Sequence, residues 1–152
     1  MRIESPVFGH NQSIPEKYTC DGQNINPALK ISGVPENAKS LALIVDDPDA
    51  TRGITWIHWV ILNIGGEKLE NGRLEITENN VPTGSLELKT SFGKPGYGGP
   101  CPPPNQDKSI GKGTHRYFFK LYALDTEKIN SVEEIPAHTI ASAELIGLYN
   151  RK

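Results

Sequence analysis

Hydrophobic positions along this chain come in short runs cut by turn residues, and few of those runs have helical spacing. Residues 41–45 read Leu-Ala-Leu-Ile-Val and stop at Asp46-Asp47-Pro48-Asp49. A continuous apolar run bounded by turn signals predicts a strand buried on both faces. Residues 57–64 are rich in β-branched and aromatic side chains and predict a second strand. In 116–124, Tyr117, Phe119, Leu121 and Ala123 share one parity, while Phe118, Lys120 and Tyr122 share the other. Period two predicts a third strand with one core face and one partly exposed face. Shorter strands are predicted over 28–32 and 85–90. Helix is expected only near the end. Ser131-Val132-Glu133-Glu134 has the capping-box pattern, a short helix start that Pro136 should soon interrupt. Ala137, Ala141, Leu145, Leu148 and Tyr149 then fall at helical spacing, which predicts an amphipathic C-terminal helix serving the core rather than a membrane. The expected fold is mostly β: one antiparallel β-sandwich domain over 1–152, with a short helix and a C-terminal helix.

Composition narrows the function classes. The 15 glycines and 12 prolines suit a turn-rich β fold and disfavour a helical bundle. At 152 residues the chain is long enough to bury one sizeable core. The formal net charge of −2, with no dense Lys/Arg field, argues against nucleic acid as a partner. No apolar run is long enough for a signal peptide core or a membrane span, so a cytoplasmic protein without membrane insertion is expected. Cys20 and Cys101 are the only cysteines and form neither a CxxC pair nor a zinc framework. In a reducing cytoplasm they are expected to be two free, buried thiols.

Several polar groups sit where buried strands would not need them. Asp47 ends the first apolar run on the parity of Leu41, Leu43 and Val45. His58 shares parity with Val60, Leu62 and Ile64, so its ring should face the interior or a pocket. His115 and Tyr117, two apart, open the third strand on one face. A buried polar group without a partner costs about 1–3 kcal/mol, so these groups are expected to find one another. Taken singly, each is more often an ordinary surface or turn residue, and Asp47-Pro48-Asp49 alone is an ordinary turn. The segment 93–104, Gly-Lys-Pro-Gly-Tyr-Gly-Gly-Pro-Cys-Pro-Pro-Pro, is the other anomaly. Its glycines allow close backbone approach and its prolines hold the chain rigid, as a wall around a small oxyanion would require. The loop backbone rather than the Cys101 thiol is expected to form the pocket edge. A two-His-one-carboxylate metal site from His58, His115 and Asp47, and an enzyme built on Cys101, are the weaker readings.

Taken together, these stretches resemble the phosphatidylethanolamine-binding (Raf kinase inhibitor-like) family, in its bacterial and archaeal branch. The resemblance rests on Tyr18-Thr19-Cys20-Asp21-Gly22, Asp47-Pro48-Asp49-Ala50, Trp56-Ile57-His58-Trp59, Tyr97-Gly98-Gly99-Pro100-Cys101-Pro102-Pro103 and His115-Arg116-Tyr117, in that order, and on the tail 138–145. It implies an antiparallel β-sandwich with a surface pocket for phosphate, acetate or a phospholipid head group. By similarity the pocket would comprise Asp47, His58, Gly99, Pro100, His115 and Tyr117, with Trp56 and Tyr97 at its rim. The function implied is non-catalytic binding of a small anion such as phosphate or phosphoethanolamine, with no cofactor and no metal. Modulation or inhibition of a protein target, a serine peptidase or a kinase, is the alternative, and a homodimer is the remaining partner to consider. Two departures from the family pattern lie near the pocket: Thr51 replaces the usual Pro, and a longer 104–115 stretch carries Lys108 and Lys112. Two imidazoles in an anion pocket also predict affinity that rises from about pH 8 to about pH 6.

Overall fold

The computed structural model describes residues 1–65, 69, 71–104 and 113–151. The strands, in chain order, are β1 (Arg2–Glu4), β2 (Gln12–Ser13), β3 (Leu29–Ser32), β4 (Ser40–Asp47), β5 (Trp56–Gly65), β6 (Leu74–Ile76), β7 (Leu86–Glu87), β8 (His115–Leu124) and β9 (Thr139–Tyr149). They form a three-stranded sheet, β1-β3-β6, and a six-stranded sheet, β2-β9-β8-β4-β5-β7. Every pairing is antiparallel except that of β2 with β9.

The 41–45 run becomes β4, held between β5 and β8 in the middle of the large sheet. That position explains its lack of alternation, because both faces are covered. Leu41, Leu43 and Val45 join Trp59, Ile61, Phe119 and Leu121 in a core closed by Ile3, Leu29, Ile31 and Ile76 from the small sheet. On the other face Ala42 packs with Val60, Leu62, Leu124, Ile129 and Ile135. The third predicted strand is β8, with Tyr117, Phe119, Leu121 and Ala123 buried as expected.

Two expectations fail near the C-terminus. The predicted amphipathic helix is β9, an eleven-residue strand paired along its length with β8. Ala141, Leu145 and Tyr149 are four apart, and a step of four is shared by the helical and the strand periods. Ala143 and Gly147, which complete the inward parity, are the signal that separates the two. The capping box is present, with Ser131 N–H donating to Glu134 Oε2 at 2.9 Å. Pro136, however, does not interrupt the helix. It sits in the first turn of α1 (Ile135–His138), where its missing N–H is harmless, and α1 ends two residues later.

The cysteines are also not free thiols. Cys20 and Cys101 form a disulfide across 81 residues, with Cα atoms 5.4 Å apart. Cys101 is exposed and Cys20 half-buried. The expectation of free thiols rests on compartment, not geometry, and nothing in the sequence shows that the two loops meet. Among the described residues no helix is long and apolar enough to cross a membrane.

Candidate functional site

The C-terminal end of β4 and the N-terminal ends of β5 and β8 lie side by side, and they bring Asp47, Trp56, His58, His115 and Tyr117 around one cavity of about 290 Å³. The opposite wall is Cys101, Pro102 and Pro103, with Ala50, Thr51 and Phe92 completing the mouth. Its volume lies at the small end of ligand pockets, roughly 300–1,000 Å³, which suits a head group or an inorganic ion.

His58 reaches this cavity through a β-bulge. Val45 pairs with Trp59 and Asp46 with Ile57, so one step along β4 spans two along β5 and His58 is the extra residue. The bulge turns His58 toward the pocket although Val60 and Leu62, of the same parity, belong to the opposite core. A second irregularity, between Leu41 and Leu43, flips Ile64 back to the inter-sheet core. The shared parity of His58, Val60, Leu62 and Ile64 therefore does not mean a shared face.

Once there, the ring is fixed by the loop. His58 Nδ1 donates to the Gly98 carbonyl at 2.7 Å, and Gly98 N–H donates back to the His58 carbonyl at 2.9 Å. Phe92 and Tyr117 meet the His58 ring edge-on at 5.4 and 5.2 Å between centroids. Burial pushes the His58 pKa below its ordinary value, against the opposing pull of the Gly98 and Gly99 carbonyls, Asp47 and Asp46. His58 is therefore not the source of positive charge near neutral pH that two exposed imidazoles would supply.

Asp47 and His115 are both buried, and His115 Nδ1 donates to Asp47 Oδ2 at 2.8 Å. The other carboxylate oxygen, Oδ1, accepts from Asp49 N–H at 2.8 Å, the local turn that Asp-Pro-Asp favours. Asp49 in turn grips Arg116, accepting from Nε at 2.8 Å and from Nη2 at 2.9 Å. This fork ties the turn after β4 to the start of β8 and holds His115 and Tyr117 at the cavity. The Asp49–Arg116 clamp is adjacent to the expected site residues in sequence, yet nothing but its charge pairing could have suggested it.

Tyr117 is 1% exposed and lines the cavity, and its hydroxyl is a buried polar atom with no hydrogen-bond partner among the described residues. Burial first, then Asp47, pushes its ionisation well above the usual phenol range. It therefore stays a hydroxyl, able to donate.

Gly99, Pro100 and Tyr97 do not line the cavity. They hold its wall from behind. Gly99 N–H donates to Asn24 Oδ1 at 2.8 Å, and the Pro100 carbonyl accepts from Cys20 N–H at 3.1 Å. A Cβ at Gly99 would collide with the Tyr18 carbonyl oxygen, and one at Gly98 with the Phe92 ring. Tyr97 is tucked under the loop, its hydroxyl donating to the Tyr18 carbonyl at 2.8 Å and its ring edge-on to Trp59. Trp56 does stand at the rim, half-exposed and T-shaped against Phe92 at 5.6 Å. Phe92 is absent from the sequence-based site. An aromatic between Ser91 and Gly93, just before the Gly/Pro loop, is the available signal for it. Lys108 and Lys112 lie outside the described residues.

Among the described residues no three His, Cys, Asp or Glu are grouped to hold a metal ion.

The model of the phosphatidylethanolamine-binding protein family matches residues 4–150. The chain belongs to that family. It is 43% identical over 159 residues to a UPF0098 protein of Methanothermobacter thermautotrophicus, covering 99% of both chains. A UPF0098 protein of Aquifex aeolicus is 40% identical over 164 residues, covering 99% of this chain and 89% of that one. Among solved structures, Escherichia coli YbcL, described as a member of the mammalian family, aligns with a TM-score of 0.86 at 31% identity, covering 99% of this chain and 98% of that one. A family homologue from Chlamydia trachomatis aligns with a TM-score of 0.84 at 33% identity, covering 99% and 97%. The family and its β fold are thus those the sequence motifs imply.

Proposed function

We propose that this member of the phosphatidylethanolamine-binding protein family is a non-catalytic binding protein whose cavity takes a small oxyanion, either free phosphate or the phosphoryl group of a head group such as phosphoethanolamine. The observation that carries the reading is the Tyr117 hydroxyl, buried at the cavity without a partner among the described residues. An unsatisfied buried hydroxyl costs about 1–3 kcal/mol, and an oxyanion oxygen in the cavity would remove that penalty. The small volume and the aromatic rim of Trp56 and Phe92 support the same reading, since they suit a compact polar head with a short apolar extension.

Catalysis finds less support. Cys101, the one cysteine lining the pocket, is in a disulfide and cannot act as a thiolate nucleophile. The hydroxyl of Ser91, close in sequence to the rim, accepts from Ile57 N–H at 2.8 Å and serves the strand.

The test is calorimetric titration of O-phosphoethanolamine into wild type and Tyr117→Phe. Saturable binding weakened about tenfold or more by removal of this one oxygen is expected. Equal affinity in the two proteins would overturn the placement of the ligand.

A further inference from the structure

One wall of the cavity is set in place by a cross-link rather than by backbone hydrogen bonds. As far as Pro100 the chain seats the loop: Gly98 bonds in both directions to His58, Gly99 N–H donates to Asn24 Oδ1, and the Pro100 carbonyl accepts from Cys20 N–H. Beyond Pro100 come Cys101, Pro102, Pro103 and Pro104, and the first three line the cavity. Prolines have no N–H to donate. No backbone–backbone hydrogen bond among the described residues involves 101–104. Pro102 is packed inward, and the Cys20–Cys101 disulfide beside it is the covalent hold on that packing.

The two ends of the disulfide differ. Cys20 lies in a segment with anchors of its own. Thr19 Oγ1 donates to the Glu16 carbonyl at 2.8 Å, and Gly22 N–H donates to the Thr19 carbonyl at 3.0 Å. Asp21 accepts from the Tyr149 hydroxyl at 2.6 Å and from Arg151 Nε at 3.0 Å. Cys101 is exposed, and Arg151 Nη1 lies 3.9 Å from its sulfur. An exposed disulfide is open to thiol exchange, and a neighbouring guanidinium favours the thiolate form of a cysteine.

Resting on the oxyanion reading above, we propose that the Cys20–Cys101 disulfide is a redox gate on the cavity, opened by a dithiol reductant. With the bond closed, Cys101, Pro102 and Pro103 stand against the ligand. With it open, 101–104 swing away while Cys20 stays on its anchors, and the ligand loses a wall. One thiolate of the reductant attacks the exposed Cys101 Sγ, the Cys20–Cys101 bond breaks, and Cys20 leaves as a thiolate. The second thiolate of the reductant then attacks the reductant sulfur of the mixed disulfide, and Cys101 leaves beside Arg151. The protein takes up two electrons, the reductant becomes a disulfide, and its two S–H protons pass to the cysteine sulfurs. Coupling of this kind is reciprocal, so bound ligand holds the disulfide closed by the factor that reduction weakens the ligand.

Calorimetric titration of O-phosphoethanolamine tests the gate on one preparation: oxidised, fully reduced by dithiothreitol with free thiols counted, and reoxidised. Affinity at least about tenfold weaker in the reduced protein, and restored by reoxidation, is expected. Near-ultraviolet circular dichroism follows the fold, which the reduced protein should keep because the core lies between the two sheets and not in the loop. Equal affinity in the two states, or a loss that reoxidation does not reverse, overturns the gate and leaves the oxyanion reading standing. A reduced protein that has lost its fold overturns it as well, since the bond is then structural only. Oxidised protein that binds no O-phosphoethanolamine overturns the oxyanion reading itself. The reciprocal arm equilibrates the protein with mixtures of reduced and oxidised dithiothreitol. Saturating O-phosphoethanolamine should shift that equilibrium at least about tenfold toward the protein disulfide in wild type, and far less in Tyr117→Phe. An equilibrium that the ligand leaves in place would contradict the gate.

Discussion

The carbonyl and ring of His58 both bond to Gly98, the Gly98 N–H donating at 2.9 Å to the His58 carbonyl and the ring Nδ1 donating at 2.7 Å to the Gly98 oxygen. One bulged residue of β5 therefore fastens the Gly/Pro loop to the sheet and forms part of the cavity wall at the same time. His58→Phe should keep the edge-to-face contacts with Tyr117 and Phe92 but leave the Gly98 oxygen without its donor. A loss of about 1–3 kcal/mol in urea unfolding is expected. A midpoint equal to that of wild type would mean the loop is held without this bond.

The same ring gives stability a pH dependence. Burial lowers the His58 pKa in the folded protein, while the unfolded chain titrates near its ordinary value of 6.5. Below that value the unfolded state holds a proton that the folded state lacks, so stability is complete above about pH 6.5 and is lost as pH falls toward the folded pKa. The slope from this one group is at most about 1.4 kcal/mol per pH unit. Urea unfolding from pH 8 to pH 5 should show a steeper loss in wild type than in His58→Phe. Parallel curves would contradict the burial argument.

The disulfide changes what is expected of Cys101. Its partner Cys20 lies 81 residues away, and closing a loop of that length stabilises by about 4.5 kcal/mol in the chain-entropy account. Cys101→Ser, or reduction, should therefore lower stability by several kcal/mol and loosen the wall formed by Cys101, Pro102 and Pro103. Oxidised and reduced protein compared in urea, with free thiols counted by reagent, checks this. An unchanged midpoint on full reduction would refute it.

How much of this is legible in the sequence depends on whether a residue's signal is local. β4 and β8 announce themselves because an unbroken apolar run and a clean alternation each match one kind of strand. Asp47, His58, His115 and Tyr117 are legible as polar groups at the ends of such strands, and they do meet. β9 reads as a helix because Ala141, Leu145 and Tyr149 satisfy two periods at once. The motifs put Tyr97, Gly99 and Pro100 at the pocket, yet these residues brace it from behind, a distinction of depth that spacing does not encode. The Cys20–Cys101 pair joins loops whose proximity only the packed sheets create.

The strand assignment of β9 has its own test. Leu145 is 3% exposed and pairs opposite Phe119 in the inter-sheet core, whereas Leu148 is only partly buried and pairs opposite exposed Arg116. Leu145→Asp should cost several kcal/mol, the range for an unpaired charge in a core, and Leu148→Asp much less. Equal, large losses would favour a helix with both leucines on one stripe.

The central claim is that a small oxyanion occupies the cavity at Tyr117. The most direct measurement is nuclear magnetic resonance of isotope-labelled protein titrated with O-phosphoethanolamine, following the His58 and His115 ring signals, the Tyr117 ring and the Gly98 amide. The account predicts saturable shifts that converge on these four residues, with one dissociation constant for all, and their loss in Tyr117→Phe. Saturable shifts centred elsewhere on the molecule, or signals at these four residues that stay fixed as ligand is added, would contradict it.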